Sequence, residues 1–327
     1  MLSAPFLMPG KPNGRDAAQG RTIASQQGNS VDEQCQVRVR FCPPPAELRR
    51  YFTTFYLVEL AMPQGGLVAD WLHPEWGNLR FHQGTTPSAR TLGGSQLAGS
   101  DFAVTGPSSE SVHFTIGPTR MWGIGLLPLG WARFVGVPAC DLADSLIAGN
   151  SHPAFESFRP LARTLFEEAP DPDAELERIV AHFRAQAERR VPDAELIVAI
   201  HAALIDPRTA TVPDLRDKAG VSPRALERLC DRAFGFPPKL LLRRQRFLRS
   251  LADFMLDPSL KWVGAIDSQY HDQAQFVRDF HRFMGMTPRQ YAALPKPVLS
   301  AMVHERARFA GKAVQALEGP DGVQPGA

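Results

Sequence analysis

Residues 272–285 read DQAQFVRDFHRFMG. Phe276, Phe280 and Phe283 recur at helical spacing, so one face of a helix is apolar. Gln273, Gln275, Arg278, Asp279 and Arg282 make up its outer face. Asp272-Gln273 begins this helix. Gly285-Met286-Thr287-Pro288 stops it and starts another, with Thr287 as the cap. Trp262–Ser268, just upstream, reads as a preceding helix.

The same plan stands earlier in the chain. Residues 212–222, VPDLRDKAGVS, predict a short helix from Pro213 to Ala219 that Gly220 ends in the left-handed conformation. Ser222 and Pro223 then open SPRALERLCDRAFG, which runs to Gly235. Leu226, Leu229, Cys230 and Ala233 share one face, and Arg224, Glu227, Arg228, Asp231 and Arg232 the other. Helix, turn and second helix form a helix-turn-helix unit. The second helix of such a unit enters the major groove of double-stranded DNA. Arg224 and Arg228, one turn apart, suit guanine, and Gln273 and Gln275 suit adenine. Taken alone, the first pair also reads as two solvated arginines on a surface helix. Arg282, near the far end of its helix, suits a phosphate. Ser222, Arg232 and Thr287 join it as expected backbone-positioning residues.

Between the units lies KLLLRRQRFLRSLADF, residues 239–254, long, helical and basic through Arg243, Arg244, Arg246 and Arg249. A rigid helix there fixes the separation of the two units; the alternative is a leucine-rich core helix whose arginines only solvate it. Charge follows the same division. Residues 205–295 hold 15 Lys/Arg against 10 Asp/Glu, within a chain whose net charge is +2. The front is therefore acidic and the back basic, which suits a polyanionic partner; the alternative is a chance imbalance.

These residues resemble the DNA-binding domain of the AraC/XylS family of transcription regulators, over about Asp193 to Leu294. The resemblance is carried by Gly220-Val221-Ser222, Arg224, Leu226, Arg228, Gly235, Pro238-Lys239 and Arg246. It is carried further by Tyr270, Asp272-Gln273, Phe276, Arg278, Phe280, Gly285, Thr287-Pro288 and Tyr291. It implies an all-α domain of two units joined by one long helix, reading successive major-groove segments. Family-style base contacts then fall on Arg224, Glu227 and Arg228, and on Gln273, Gln275 and Arg278. It also implies RNA polymerase as a partner if the protein activates. Two positions depart from the pattern: Gln269 stands where the family usually has Gly, and Gly264 where it has an apolar residue. A turn before Tyr270 without glycine is expected to be strained or altered.

The front reads as β. Val37, Val39 and Phe41 alternate with polar residues, and Tyr51–Leu60 is aromatic and β-branched. Asn78–Phe81, Phe102–Thr105, His113–Ile116 and Met121–Leu126 are further strands, separated by turn residues, which suggests a barrel or sandwich. Trp131–Phe134 and Asp141–Ile147 read as short helices, and Phe155–Phe166 and Glu175–Ala187 as longer ones. Pro43–Leu60, Asp70–Phe81, Gly106-Pro107 and Gly123–Ile147 are similar to the cupin-like N-terminal domain of one branch of these regulators. That likeness implies effector sensing or pairing of two subunits. The expected division is a disordered tail 1–33, a β-rich effector or dimerisation domain 34–150, a helical linker 151–192, the DNA-binding domain 193–294 and a C-terminal tail 295–327. Val298–Leu317 has helical spacing and is expected either to pack on the DNA-binding domain or to stay loose, with disorder after Glu318.

Other chemistry is thin. There is no phosphate-binding loop, dinucleotide fingerprint or nucleophile elbow, so neither catalysis nor a cofactor is expected. His73, His82 and His113 lack the H-x-H spacing of a cupin metal site and are read as ordinary histidines. Tyr51, Phe52, Phe55, Tyr56, Trp71, Trp76, Phe81 and Trp122 are candidates to line a barrel interior, as a pocket or as packing. Cys35, Cys42, Cys140 and Cys230 form no C-x-x-C pair, which fits a reducing, cytoplasmic setting. Met1–Lys11 lacks a signal-peptide pattern. Met121–Ala139 is broken by Pro128, Arg133 and Pro138, so no membrane span is expected. The alternative reading is a cupin-like enzyme or ligand-binding protein with an accessory helical domain.

Overall fold

The computed structural model describes residues 35–186, 190–257, 259 and 261–321. The expected tail 1–33 and the end beyond Asp321 lie outside the described residues. The described residues of the front half form ten strands: β1 (Gln36–Cys42), β2 (Phe52–Ala61), β3 (Val68–Leu72), β4 (Asn78–Gly84), β5 (Ser88–Thr91), β6 (Gln96–Ala98), β7 (Phe102–Thr105), β8 (Val112–Ile116), β9 (Thr119–Leu126) and β10 (Leu146–Ala148). They form an antiparallel sheet of order β1-β2-β9-β4-β7-β10 and a second of order β3-β8-β5-β6. Facing each other across a cavity, the two sheets make an open cupin-like barrel.

The six expected strands all form, within three residues at their ends. β3, β5, β6 and β10 were not anticipated. The stretch expected to be a helix at Asp141–Ile147 is instead a 3-10 turn, Ala139–Leu142, followed by β10. Leu146 to Ala148 pair with β7 from Thr105 to Ala103, and this edge pairing overrides the weak helical pattern.

β2 is buried on both faces, and this decides where the aromatics go. Tyr56, Val58 and Leu60 face the cavity. Phe52 and Phe55 face away from it, into a core with Phe81 and Trp122. That core is covered by the π-turn Trp131–Val135, which continues α1 (Pro128–Gly130), and by α2 (Arg159–Thr164) and α3 (Pro172–Ala185). Phe52 stacks on Phe134 and meets Phe183 edge-on, with centroids 5.2 and 4.5 Å apart. Glu175 of α3 is buried and accepts from Trp122 Nε1 at 2.7 Å and from the Arg120 guanidinium at 2.9 and 3.0 Å. Of the eight aromatics read as candidate barrel lining, only Tyr56 and Trp71 line the cavity. Most of the others fill the layer between sheet and helices.

The back half is helical: α4 (Ala194–Ile205), α5 (Val212–Ala219), α6 (Pro223–Leu229), α7 (Pro238–Leu256), α8 (Lys261–Ala265), α9 (Gln273–Met284) and α10 (Pro288–Ala293). Its core is continuous with residues of the front half, since Trp76, Leu127 and Leu129 belong to the same buried cluster as Leu226, Phe247 and Phe280.

α11 (Pro297–Ala310) then returns to the β region, packing on β1 and β3. The buried Asp70 carboxylate accepts from Val298 N at 2.8 Å and Leu299 N at 2.9 Å, capping this helix from outside. Such a carboxylate meets orphan N–H groups and the positive end of the helix dipole. Arg306 lies 4.8 Å over the Phe41 ring and pairs with buried Glu318. The spacing of Leu299, Met302 and Val303 predicts this helix; its seat on the barrel was not foreseen. Among the described residues no helix is long and apolar enough to cross a membrane.

Candidate nucleic-acid interface

The first unit is set by its caps. Thr211 Oγ1 accepts from Asp214 N and the Asp214 carboxylate accepts from Thr211 N, a reciprocal box at the start of α5. Gly220 ends α5 at φ +66°, where an L side chain is disfavoured. Ser222 Oγ accepts from Ala225 N at 3.2 Å and starts α6. Leu226, Leu229 and Cys230 are buried, which leaves Arg224, Glu227 and Arg228 exposed together on the other face. Arg228 is 3.1 Å from the Asp193 carboxylate, and Arg232 donates to Pro192 O at 3.3 Å. The first unit is thus tied to the chain that leads into it.

The second unit replaces glycine chemistry with side-chain bonds. Among the described residues the only non-glycine positive φ angles are at Asp144 and Asp193, so Gln269 is not left-handed and the expected strain is absent. Gln269 Nε2 donates to Pro207 O at 2.5 Å, and its Oε1 accepts from Arg249 at 3.1 Å. A glycine could make neither bond. The turn is closed by Gln269 N to Asp267 Oδ1 and Tyr270 N to Asp267 O. Asp272 caps α9 by accepting from Gln275 N at 2.6 Å.

Along α9, Gln273, Arg278 and Arg282 are exposed and have no hydrogen-bond or ion-pair partner among the described residues. Gln275 is half-buried, and its carboxamide oxygen accepts from His271 N at 3.1 Å. Thr287 caps α10 in a box with Gln290, so its hydroxyl is engaged, as is that of Ser222. Asp279 is a correction. It is not on the outer face but buried, accepting from Arg243 at 2.5 Å, Arg246 at 3.2 Å and Tyr270 Oη at 3.1 Å. Its place was readable, because 276, 279, 280 and 283 are one helical stripe. The basic face of α7 is likewise internal wiring. Arg249 pairs with Asp267 at 2.5 Å. Arg244 is fully buried; it lies 4.0 Å over Trp76 and donates to Ser108 O at 2.8 Å in the β region.

The second unit also touches the β region. Ser111 N donates to Phe283 O at 2.7 Å and Ser111 Oγ to Met284 O at 3.3 Å. The Tyr291 hydroxyl of α10 lies 2.7 Å from His73 Nε2. Burial pushes His73 down to about 3, so its ring is neutral. His73 lines the cavity between the sheets, which gives that cavity a wall in common with the second unit. Among the described residues no group of three His, Cys, Asp or Glu side chains is placed to hold a metal.

Residues 215–293 match the family described as a helix-turn-helix domain. Two solved structures are similar over most of the chain. ToxT from Vibrio cholerae is 11% identical, with a TM-score of 0.40, covering 79% of this chain and 98% of its own. The AraC-like transcriptional activator CuxR is 12% identical, with a TM-score of 0.30, covering 71% and 86%. No curated protein matches the sequence.

Proposed function

We propose that the chain is a sequence-specific DNA-binding transcription regulator. In this reading α6 and α9 enter successive major-groove segments, and the β region governs them by binding a small-molecule effector or pairing subunits. Arg224, Glu227 and Arg228 read bases in one segment, and Gln273, Gln275 and Arg278 in the next. Ser222, Arg232, Arg282 and Thr287 position the backbone, and an activator would also meet RNA polymerase.

The observation that carries the reading is a contrast within one domain. The α7 arginines are consumed by the fold, while Arg224, Gln273, Arg278 and Arg282 stand exposed and idle on the capped helices. Unspent donors at recognition-helix positions are what major-groove reading needs. Selection of bound sequences from random DNA tests it, with a motif spanning two major-groove segments as the outcome. At such a site Arg278→Ala should cost on the order of 1–3 kcal/mol. Salt should weaken binding steeply. Unchanged retardation by the Arg278→Ala protein would remove that residue's role.

A further inference from the structure

We propose that the cavity between the sheets takes an uncharged molecule the size of a single ring, carrying a hydroxyl group that bonds to His82. This rests on the reading of the β region as an effector domain.

Size comes from the cavity, about 140 Å³. An engineered apolar cavity of about 150 Å³ takes up benzene. Polarity comes from the walls. Val58, Leu97, Val112, Ile116, Val298 and Met302 make them mostly apolar. The charged groups among them are already matched. Arg80 gives its guanidinium to Glu75 at 2.5 Å and Thr105 at 2.6 Å. Arg306 is spent on Glu318 and on Thr54. A carboxylate entering here would be desolvated with no free cation among the described residues to meet it.

Two neutral groups are left over. His82 of β4 is 8% exposed, lines the cavity, and neither ring nitrogen has a partner among the described residues. Burial, with the Arg80 charge beside it, holds its pKa down at about 3, so the ring offers one donor and one acceptor. Gln315, from the segment after α11, is 4% exposed and lines the same cavity, and its Oε1 also lacks a partner among the described residues. Unsatisfied buried polar atoms are rare in folded proteins and call for an occupant. A hydroxyl both donates and accepts, and so answers an imidazole nitrogen or the Gln315 oxygen. An anion could only repel the latter.

The test uses the full chain with phenol, toluene and benzoate at equal concentrations. Phenol should raise the melting temperature most, toluene less, and benzoate not at all. His82→Phe should weaken phenol about tenfold, the size of one lost hydrogen bond, and spare toluene. His82→Gln, which keeps a donor and an acceptor, should retain phenol binding. Benzoate stabilising as well as phenol, or phenol giving no shift on the unaltered chain, overturns the proposal. DNA retardation with and without phenol separates the two ideas. Binding of phenol that leaves DNA affinity unchanged keeps the site and removes the effector reading. A charged compound that alters DNA affinity while phenol does not bind keeps that reading and removes the ligand class.

Discussion

The two helix-turn-helix units solve the same problem with different chemistry. The first turns on Gly220 and is tied through Arg228 to Asp193, in the segment that precedes it. The second turns without a left-handed residue, held by Gln269 and Asp267, and its far end is bonded to the β region at Ser111 and His73. One unit is anchored locally in sequence, the other across the molecule. The barrel therefore has direct bonds to the second unit through Ser111 and through His73 of the cavity wall. It meets the first unit through the shared core.

Acid should break the comparison most severely, because one buried neutral histidine sits beneath each unit. His201, in α4, lies against Trp76 and Phe234; His73 meets Tyr291. Burial pushes both down to about 3. A histidine with a depressed folded pKa stabilises fully above its unfolded value near 6.5 and loses that stability as pH falls below it. At pH 5 each should cost about 2 kcal/mol. Asp70, which burial pushes up to about 7, runs the other way, gaining stability as pH falls over the same range. Urea melts at pH 7 and pH 5 should show a lower midpoint in acid, and an unchanged midpoint would contradict the buried neutral rings.

Asp279→Ala should come next in size. It leaves Arg243 and Arg246 facing each other with no acid between them, at a cost of about 3 kcal/mol. The loss belongs to the second unit. On the proposed reading, selected DNA motifs should keep the segment assigned to α6 and lose definition in the one assigned to α9. Equal loss in both segments would show that the units are not separable in this way.

Glycine substitutions sharpen the same contrast. Gly220 and Gly285 both have positive φ, +66° and +71°, so alanine is strained at either by about 1–2 kcal/mol. Around Gly220 there is open space, whereas a Cβ on Gly285 would stand 2.5 Å from Leu92 of the β region. Leu92 is exposed and its end can turn away, so Gly285→Ala should melt only slightly below Gly220→Ala, and Leu92→Ala should bring the two variants together. A gap that survives Leu92→Ala would mean that this junction does not explain it.

These contrasts mark what the sequence could reveal. The units were legible because their boundaries are written in local chemistry, in Gly220, Ser222, Asp272, Gly285 and Thr287. Strands with clear alternation, such as Val37-Arg38-Val39-Arg40, were legible for the same reason. β5 and β6, SART and QLA, are too short and polar to show a period, and their pairing with neighbours is not local information. The aromatics of β2 carried no sign of which face would meet helices, because both faces are buried. The cavity was least legible of all. It needs Gln315 and α11 from the far end of the chain to close it, and His82 gains meaning only once its neighbours are known to be paired.

The smallest effect tests the departure at Gln269. If that residue were a strained substitute for glycine, Gln269→Gly should stabilise the protein by relieving the turn. The structure requires the opposite sign. The Gln269 side chain bridges Pro207, before the first unit, and Arg249, on the long helix, and its backbone is unstrained. Glycine removes both bonds and adds freedom to the unfolded chain, so stability should fall by about 1 kcal/mol. The bridge also spans the two units, so the spacing between the half-motifs selected by the Gln269→Gly protein should become less strict. A stabilised variant with unchanged spacing would show that the bridge contributes nothing and that the family's glycine is the better residue here.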